Sequence, residues 1–417
     1  MRILFVTGGA FAKPFGGYRS RALTSFEYVN RLAGGSSLLA NESLFRVFAR
    51  KERRRDLARY AAAGPAPVYG NWLLPERIPL FGAINARLVT RALRLVARLE
   101  RPDILHVHSA FYPRIDAGLK RALGVRVLLD YHGSAPEEAV MNGLCRRGDG
   151  RHMSLKRLER VCVMNADRLV CVSETHRDEL LAELGTAAPP VTVIPCCADT
   201  RLFSRDEKAR EERRRRLKLD GKFVVAYAGN FPAWNPAGET AKVLARIARA
   251  FPDAHPMVVC ARAHHPMLER ELVAQGVQGG GFTLADAPHE RMPEWLSAAD
   301  MAVLVRAESP VNRVAFPVKL AEYLACGLPV VATAAVRDAA RIVAGEGLGV
   351  VLRDTGEESL GEGMESLRAL RERMALEDLP GRCAAYARAH LSWDVGAERY
   401  MEIYRRCIQH PPMQYDI

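Results

Sequence analysis

Lys319 and Glu322 are the two residues whose types and spacing promise chemistry. They stand three apart in Pro317-Val318-Lys319-Leu320-Ala321-Glu322-Tyr323, so on a helix they share one face. Pro317 suits a first helical position, because its missing N–H would be an orphan there and its φ is preset. The pair then sits near a helix N-terminus, where backbone amides and the helix dipole favour anions. A phosphate there takes the amides and the Lys319 ammonium, and Glu322 accepts hydrogen bonds from sugar hydroxyls. The competing reading is a surface ion pair worth about 0.2–0.5 kcal/mol. Two further candidates end strands. His106 and His108, in Leu105-His106-Val107-His108, fall on one strand face because side chains alternate. A His-x-His pair can ligate a metal, but no nearby carboxylate or third histidine completes a site, so hydrogen bonding is expected and no metal. His132, in Asp130-Tyr131-His132-Gly133, lies just past a strand's carboxyl end, where α/β sheets take ligands. Gly133 beside it lets a ligand come close.

The elements that must position these groups are marked by local punctuation. Leu320 and Leu324 make an apolar stripe at i and i+4. Gly327 supplies the left-handed residue that stops the helix, and Pro329 prevents its continuation. Val330-Val331-Ala332 follows as a short apolar run of the kind a buried parallel strand shows. The chain opens with an apolar strand at 3–6, a glycine-rich loop containing Gly16 and Gly17, and a helix over about 20–32. Strand, glycine loop and helix make an opening of the Rossmann kind. The glycines do not follow G-x-G-x-x-G, which counts against a nicotinamide dinucleotide enzyme. Further strands are expected near 104–108, 125–129, 168–172 and 191–195. A second α/β unit starts at 223–227, with Gly229 and Asn230 at its first turn. Alternation on both sides of a connector predicts an α/β chain of two Rossmann-like domains facing a cleft.

Composition narrows the class. The 417 residues are 49% hydrophobic and 26% charged, as in soluble globular proteins. No apolar run approaches the ~18 residues that span a bilayer. The run at 3–6 is too short for a signal-peptide core, so a cytoplasmic protein is expected. The nine cysteines are odd in number and show no C-x-x-C spacing; they read as reduced, small apolar residues. The net charge of +12 is uneven: residues 1–190 carry 30 Lys+Arg against 18 Asp+Glu, and the remainder 30 against 30. Within the first 100 residues the count is 17 against 6. Arg46, Arg50, Lys51, Arg53, Arg54, Arg55 and Arg59 crowd residues 44–60. Residues 84–100 set Ile84, Leu88, Ala92, Leu95 and Leu99 at helical spacing among Arg87, Arg91, Arg94 and Arg98. This second segment is a basic amphipathic helix, either a domain helix with a solvated face or a membrane-surface helix. Together the two segments point to an anionic membrane. A nucleic-acid binder is motivated only by charge, and no helix-turn-helix, zinc or aromatic platform signature supports it, so no nucleic-acid partner is expected.

Taken in order, the motifs resemble the retaining glycosyltransferases of family 4 (glycosyl transferases group 1). They are Gly16-Gly17, Pro102-Asp103-Ile104-Leu105-His106-Val107-His108, Asp130-Tyr131-His132-Gly133 with Pro136-Glu137-Glu138, and Val193-Ile194-Pro195 leading to Asp199 and Phe203. Tyr227-Ala228-Gly229 and Trp295-Leu296-Ser297-Ala298-Ala299-Asp300 follow, and the most specific block runs from Pro317-Val318-Lys319 through Glu322-Tyr323 to Val331. The Pro-x-Lys-x-x-Glu-Tyr form looks like a variant branch. The resemblance implies the GT-B fold: an N-terminal acceptor-binding domain over 1–195, a linker over 196–206, a nucleotide-sugar-binding domain over 207–390, and a closing helix in 391–417 that crosses back to the first domain. It implies His132, Lys319 and Glu322 as catalytic residues. It places Gly16, Gly17, Gly229, Asn230, Pro317, Val318, Lys319 and Glu322 around the nucleotide sugar. Two departures stand out: Val314 replaces the family's first glutamate, and the loop after the first strand of the second domain, Asn230-Phe231-Pro232-Ala233-Trp234-Asn235, lacks the usual basic pair. The implied reaction is retaining sugar transfer from a UDP- or GDP-linked donor, without cofactor or metal, in keeping with the absence of any Asp-x-Asp sequence. The implied acceptor is a lipid-linked or envelope polysaccharide, reached peripherally on the inner face of the plasma membrane. The alternative on the same fold is a nucleotide-sugar epimerase or a non-catalytic nucleotide-sugar-binding protein.

Overall fold

The computed structural model describes residues 1–8, 17–43, 66–74, 79–108 and 114–409. Gly16 and the basic segment 44–60 lie outside the described residues. Two compact units are present: Met1–Pro195 with Trp393–Ile417, and Cys196–Ser392.

The first unit holds a parallel sheet of β1 (Ile3–Gly8), β2 (Ser36–Ser43), β3 (Val68–Leu73), β4 (Ile104–His108), β5 (Arg126–Tyr131), β6 (Arg168–Cys171) and β7 (Val191–Val193). Their order is β3-β2-β1-β4-β5-β6-β7. Ile3, Leu4, Phe5 and Val6 are all fully buried, as expected of a strand covered on both faces. β2 and β3 carry no β-branched run to announce them (Ser-Ser-Leu-Leu-Ala-Asn in one, Val-Tyr-Gly-Asn in the other). The helix Trp393–Gln409 returns to this unit and packs on the helix Gly17–Ala33. Its Tyr400 and Tyr404 are fully buried.

The second unit holds β8 (Phe223–Ala228), β9 (Ala254–Val259), β10 (Thr283–Ala285), β11 (Met301–Leu304), β12 (Val330–Thr333) and β13 (Gly349–Leu352) in the order β10-β9-β8-β11-β12-β13. The connecting stretch 196–206 belongs to this unit, where Ala198 N donates to Leu391 O and Asp206 N to Ser297 Oγ. In both units the strand order reverses beside the first strand, between β1 and β4 and between β8 and β11. Crevices outside the carboxyl ends at such reversals are where doubly wound sheets bind ligands.

Two details differ from the sequence reading. Pro317 is the N-cap rather than the first helical residue: its ψ of 126° is extended while its carbonyl already accepts from Leu320 N at 3.1 Å. The helix proper is Val318–Ala325, and Gly327 closes it at φ 74°. The helix Pro79–Glu100 turns a different face inward from the stripe read in the sequence. Asn85, Val89, Leu93, Val96 and Ala97 are buried, whereas Leu95 and Leu99 are 60% and 63% exposed. Among the described residues no helix is long and apolar enough to cross a membrane, and all nine cysteines are free thiols.

Candidate active site

In the first unit the candidate residues converge on one buried carboxylate. β4 and β5 are neighbours in a register that pairs His108 with Asp130, so both side chains rise from the same face, with His106 two residues back. His108 Nδ1 lies 3.4 Å from Asp130 Oδ2, His106 Nε2 lies 3.6 Å from that oxygen, and His132 Nε2 lies 3.4 Å from Oδ1. His108 Nδ1 is also 3.0 Å from His132 Nε2. From the helix Gly17–Ala33, Arg21 sends Nε to both carboxylate oxygens (3.2 and 3.1 Å) and Nη2 to Oδ1 (3.1 Å). The Tyr400 hydroxyl donates to Asp130 and accepts from Arg21 Nη2, and the Tyr404 hydroxyl lies 2.6 Å from His106 Nδ1. Arg21 Nη1 donates to Pro195 O at 3.0 Å.

Burial alone would raise the Asp130 carboxyl, but Arg21 and then His132 hold it well below the usual carboxylate range. Burial, followed for His108 by its neighbour His106, lowers both strand histidines. The cluster is thus an ion pair clothed in hydrogen bonds, which is what makes a buried charge tolerable. His132 retains 17% side-chain exposure while His106, His108 and Asp130 retain none, so His132 is the member presented outward and the others orient it.

The sequence offered no carboxylate close to His106 and His108; strand pairing supplies one. His106, His108 and Asp130 bring ligand-type atoms within 4.8 Å of one another. The donor set nevertheless does not fit a dication, because the Arg21 guanidinium covers both carboxylate oxygens and would face the metal's charge at close range. Behind this cluster, burial pushes Glu159 up to about 7, with Tyr131 and Lys156 only partly offsetting it.

In the second unit the helix Val318–Ala325 is pinned to the end of β8. The Tyr323 hydroxyl accepts from Ala228 N at 2.9 Å and donates to Ala228 O at 3.2 Å. This places Lys319 against β8: Nζ donates to the Tyr227 hydroxyl at 2.7 Å and stands 4.1 Å from that ring's centroid. Gly229 is what admits it. At φ 123°, a Cβ on residue 229 would lie 2.5 Å from Lys319 Cε and 2.6 Å from Nζ. The position therefore excludes a side chain both conformationally and by volume. Glu322, buried, accepts from His289 Nε2 at 3.0 Å. Asn230 ties the loop instead of presenting its amide: its Oδ1 takes Ala261 N and its carbonyl takes the Tyr227 hydroxyl and Asn235 Nδ2. Val314, where the resemblance expects a glutamate, is a buried residue closing the short helix Pro310–Val314.

Sequence reasoning missed Arg306. It follows β11, the strand beside β8, and Nη1 reaches Asn312 Oδ1 at 3.1 Å, while Asn312 in turn donates to Trp234 O and Ala307 O. Burial first and the Arg306 charge second push Lys319 well below its ordinary range, and burial lowers Arg306 to about 10. Two cations held in a low-dielectric recess at a sheet's reversal point are mutually destabilised, and an anion between them relieves both. His289 was missed as well; only the fold sets it beside Glu322. Gly17 opens the helix Gly17–Ala33 after β1.

The chain as a whole is similar in sequence and fold to known proteins. Residues 45–202 match the model of Glycosyltransferase Family 4, and residues 222–369 that of Glycosyl transferases group 1. A D-inositol 3-phosphate glycosyltransferase of Catenulispora acidiphila is 25% identical over 323 residues, 74% of this chain and 73% of that protein. The Anabaena protein HepE, crystallised in complex with UDP, superposes with TM-score 0.70 at 16% identity, covering 97% of this chain and all of that one (100%). Sucrose-phosphate synthase of Thermosynechococcus elongatus does so with TM-score 0.69 at 15% identity, covering 98% and 100%.

Proposed function

Because the chain belongs to the group 1 glycosyltransferases, with a family 4 region before them and the GT-B fold, we propose that it moves a sugar, with retention and without a metal, from a UDP- or GDP-linked donor to a lipid-linked or envelope polysaccharide acceptor. The observation that carries the donor half is the pairing of Lys319 and Arg306 at the β8/β11 reversal, beside the N-terminus of the helix Val318–Ala325. Charge develops on the leaving diphosphate, and this set of fixed positive groups meets it where it forms. Desolvation strengthens the effect: Lys319 is half-buried against Tyr227 and reaches its position only because residue 229 has no side chain. Arg306 stands in for the basic pair lacking after β8, reaching the same diphosphate from the neighbouring strand.

Glu322 is assigned to hydroxyls of the donor nucleoside, with His289 fixing its carboxylate and supplying the second group that a glutamate at 314 would have given. His132 is assigned to the donor sugar. Its orientation is set by Asp130 and His108, whose own positions rest on Arg21 and Tyr400. The uneven charge, with the whole excess in residues 1–190, supports an acceptor presented at an anionic membrane on the cytoplasmic side.

Radiolabelled UDP- and GDP-sugars incubated with the protein and a membrane lipid extract test the reading. Transfer of label from one donor, abolished in Lys319→Ala and strongly reduced in Glu322→Ala, is expected and should persist in chelator. No transfer across the panel, with the two variants indistinguishable from the parent in donor binding, would overturn it. Donor binding without any product would favour a non-transferring protein of the same fold.

A further inference from the structure

Phe203 lies on the connecting stretch 196–206 yet is only 1% exposed, whereas connecting segments ordinarily run over the surface. Its backbone is locked. Asp199 O accepts from Phe203 N at 2.7 Å and from Leu202 N at 3.0 Å, and Asp199 Oδ1 accepts from Arg201 N at 3.2 Å. The ring is set against the imidazole of His289, with centroids 5.1 Å apart and planes at 59°, inside the range of favourable tilted aromatic pairs. The same imidazole donates from Nε2 to Glu322 Oε1 at 3.0 Å. Three separate segments thus meet in one chain of contacts: the connecting stretch, the turn His289–Arg291 and the helix Val318–Ala325.

The connecting stretch brackets the segment that carries His289. Phe203 meets its first residue, and Asp206 N donates to Ser297 Oγ at 3.0 Å, at the end of the helix Met292–Ser297. Before Phe203, the stretch is tied to the place where the backbone leaves this unit: Ala198 and Ser392 form a parallel bridge, and Ala198 N donates to Leu391 O at 2.8 Å. The last torsion of a histidine side chain is broad and intrinsically loose, so packing has to choose the ring's orientation. A turned imidazole would offer Glu322 a carbon in place of Nε2. The carboxylate would then keep its charge and lose its direction.

We propose that Phe203 is a positioning residue for donor recognition: it fixes the His289 ring, His289 fixes the Glu322 carboxylate, and the carboxylate so held distinguishes a ribose from a deoxyribose. The connecting stretch is by this account a working part of the ribose site. The proposal rests on the assignment of Glu322 to the donor nucleoside given above and adds the group that sets its selectivity. A ring that only filled space would alter folding and leave that selectivity unchanged.

Calorimetric titration of the full chain with UDP and GDP, and with their 2′-deoxy and 3′-deoxy forms, tests this. The parent should prefer the ribonucleotide it binds over at least one deoxy form by roughly ten- to hundredfold, the worth of a hydrogen bond to a charged group. Glu322→Ala should abolish the preference. Phe203→Leu and His289→Ala should each remove most of it, and Phe203→Leu/His289→Ala should remove no more than His289→Ala alone, because both act through one ring. Phe251→Leu, at a buried position just before β9 and so at the opposite end of the sheet, should lower the melting temperature and leave the preference as in the parent. A Phe203→Leu protein that melts early but keeps the parental preference overturns the proposal, and so do additive losses in the double variant. Loss of the preference in Glu322→Ala alone refutes the role of Phe203 and leaves the Glu322 assignment standing. A preference untouched by Glu322→Ala, or no binding of either nucleotide, refutes that assignment and the proposal with it.

Discussion

Gly229→Ala separates the position of the Lys319 ammonium from its mere presence. The new methyl carbon would lie 2.5 Å from Lys319 Cε and 2.6 Å from Nζ, well inside contact distance. Those atoms are the far end of a flexible side chain, so the fold yields by letting Lys319 swing away from Tyr227. The remaining cost is the strain of a non-glycine residue at φ 123°, about 1–3 kcal/mol, visible as a modest fall in melting temperature. Activity should fall much further. A preorganised charged donor aimed at developing negative charge is worth roughly a hundred- to thousandfold in rate, and Gly229→Ala should lose most of that although Lys319 is still present. The assay is release of the nucleoside diphosphate from the donor, measured for Gly229→Ala, Lys319→Ala and the double variant. In Lys319→Ala the atoms that the methyl would meet are gone, so adding Gly229→Ala should cost almost nothing more in kcat/KM. Such non-additivity is the signature of two changes acting through one group. Additive losses, or a Gly229→Ala enzyme of parental activity, would refute the reasoning.

Other perturbations report on neighbouring parts. Arg306→Gln should lower kcat/KM by roughly tenfold or more and, by removing a like charge beside Lys319, should move the alkaline limb of the pH profile to higher pH; an unmoved limb refutes the coupling. Tyr400→Phe removes a hydroxyl bonded to both members of the Arg21–Asp130 pair and should cost about 1.5–3 kcal/mol in chemical denaturation. Arg21→Met, which strands the buried carboxylate, should cost about 3–5 kcal/mol. Glu159 binds its proton more tightly folded than unfolded, being raised from 4.5 to about 7. Its contribution therefore favours the folded state at low pH and is lost as pH rises through that window, leaving a penalty of about 3 kcal/mol above it. Glu159→Gln should accordingly raise the melting temperature at pH 8 and leave it unchanged at pH 4.

What the sequence revealed and what it hid follow from the range of the interactions involved. The helix Val318–Ala325 is written in local terms, with Pro317 before it, Leu320 and Leu324 inside, and Gly327 after, so its existence and burial could be read to within a residue. Gly229 was recognisable as a turn glycine, but the reason for it, a lysine ninety positions away, belongs to packing. Arg306 was invisible because its charge is felt by Lys319 only through the adjacency of β8 and β11, an order that doubly wound topology imposes and residue number conceals. Asp130 escaped notice as the partner of His106 and His108 for the same reason; the β4/β5 register unites them. The helix Pro79–Glu100 misled in another way. It carries two apolar faces, and periodicity cannot say which of two stripes meets the sheet.

The return of the helix Trp393–Gln409 has a consequence for how this enzyme is made. Tyr400 and Tyr404 finish the hydrogen bonding of Asp130 and His106, yet the ribosome supplies them only after the whole of Cys196–Ser392. The first unit to begin synthesis is therefore the last to be completed, and the second folds as an insertion within it. A chain interrupted anywhere in between carries a half-solvated ion pair beneath His132 and an uncovered face on the helix Gly17–Ala33. The scaffold of the candidate catalytic histidine is therefore assembled from chain segments made before and after the second unit, and it is complete only once both are present.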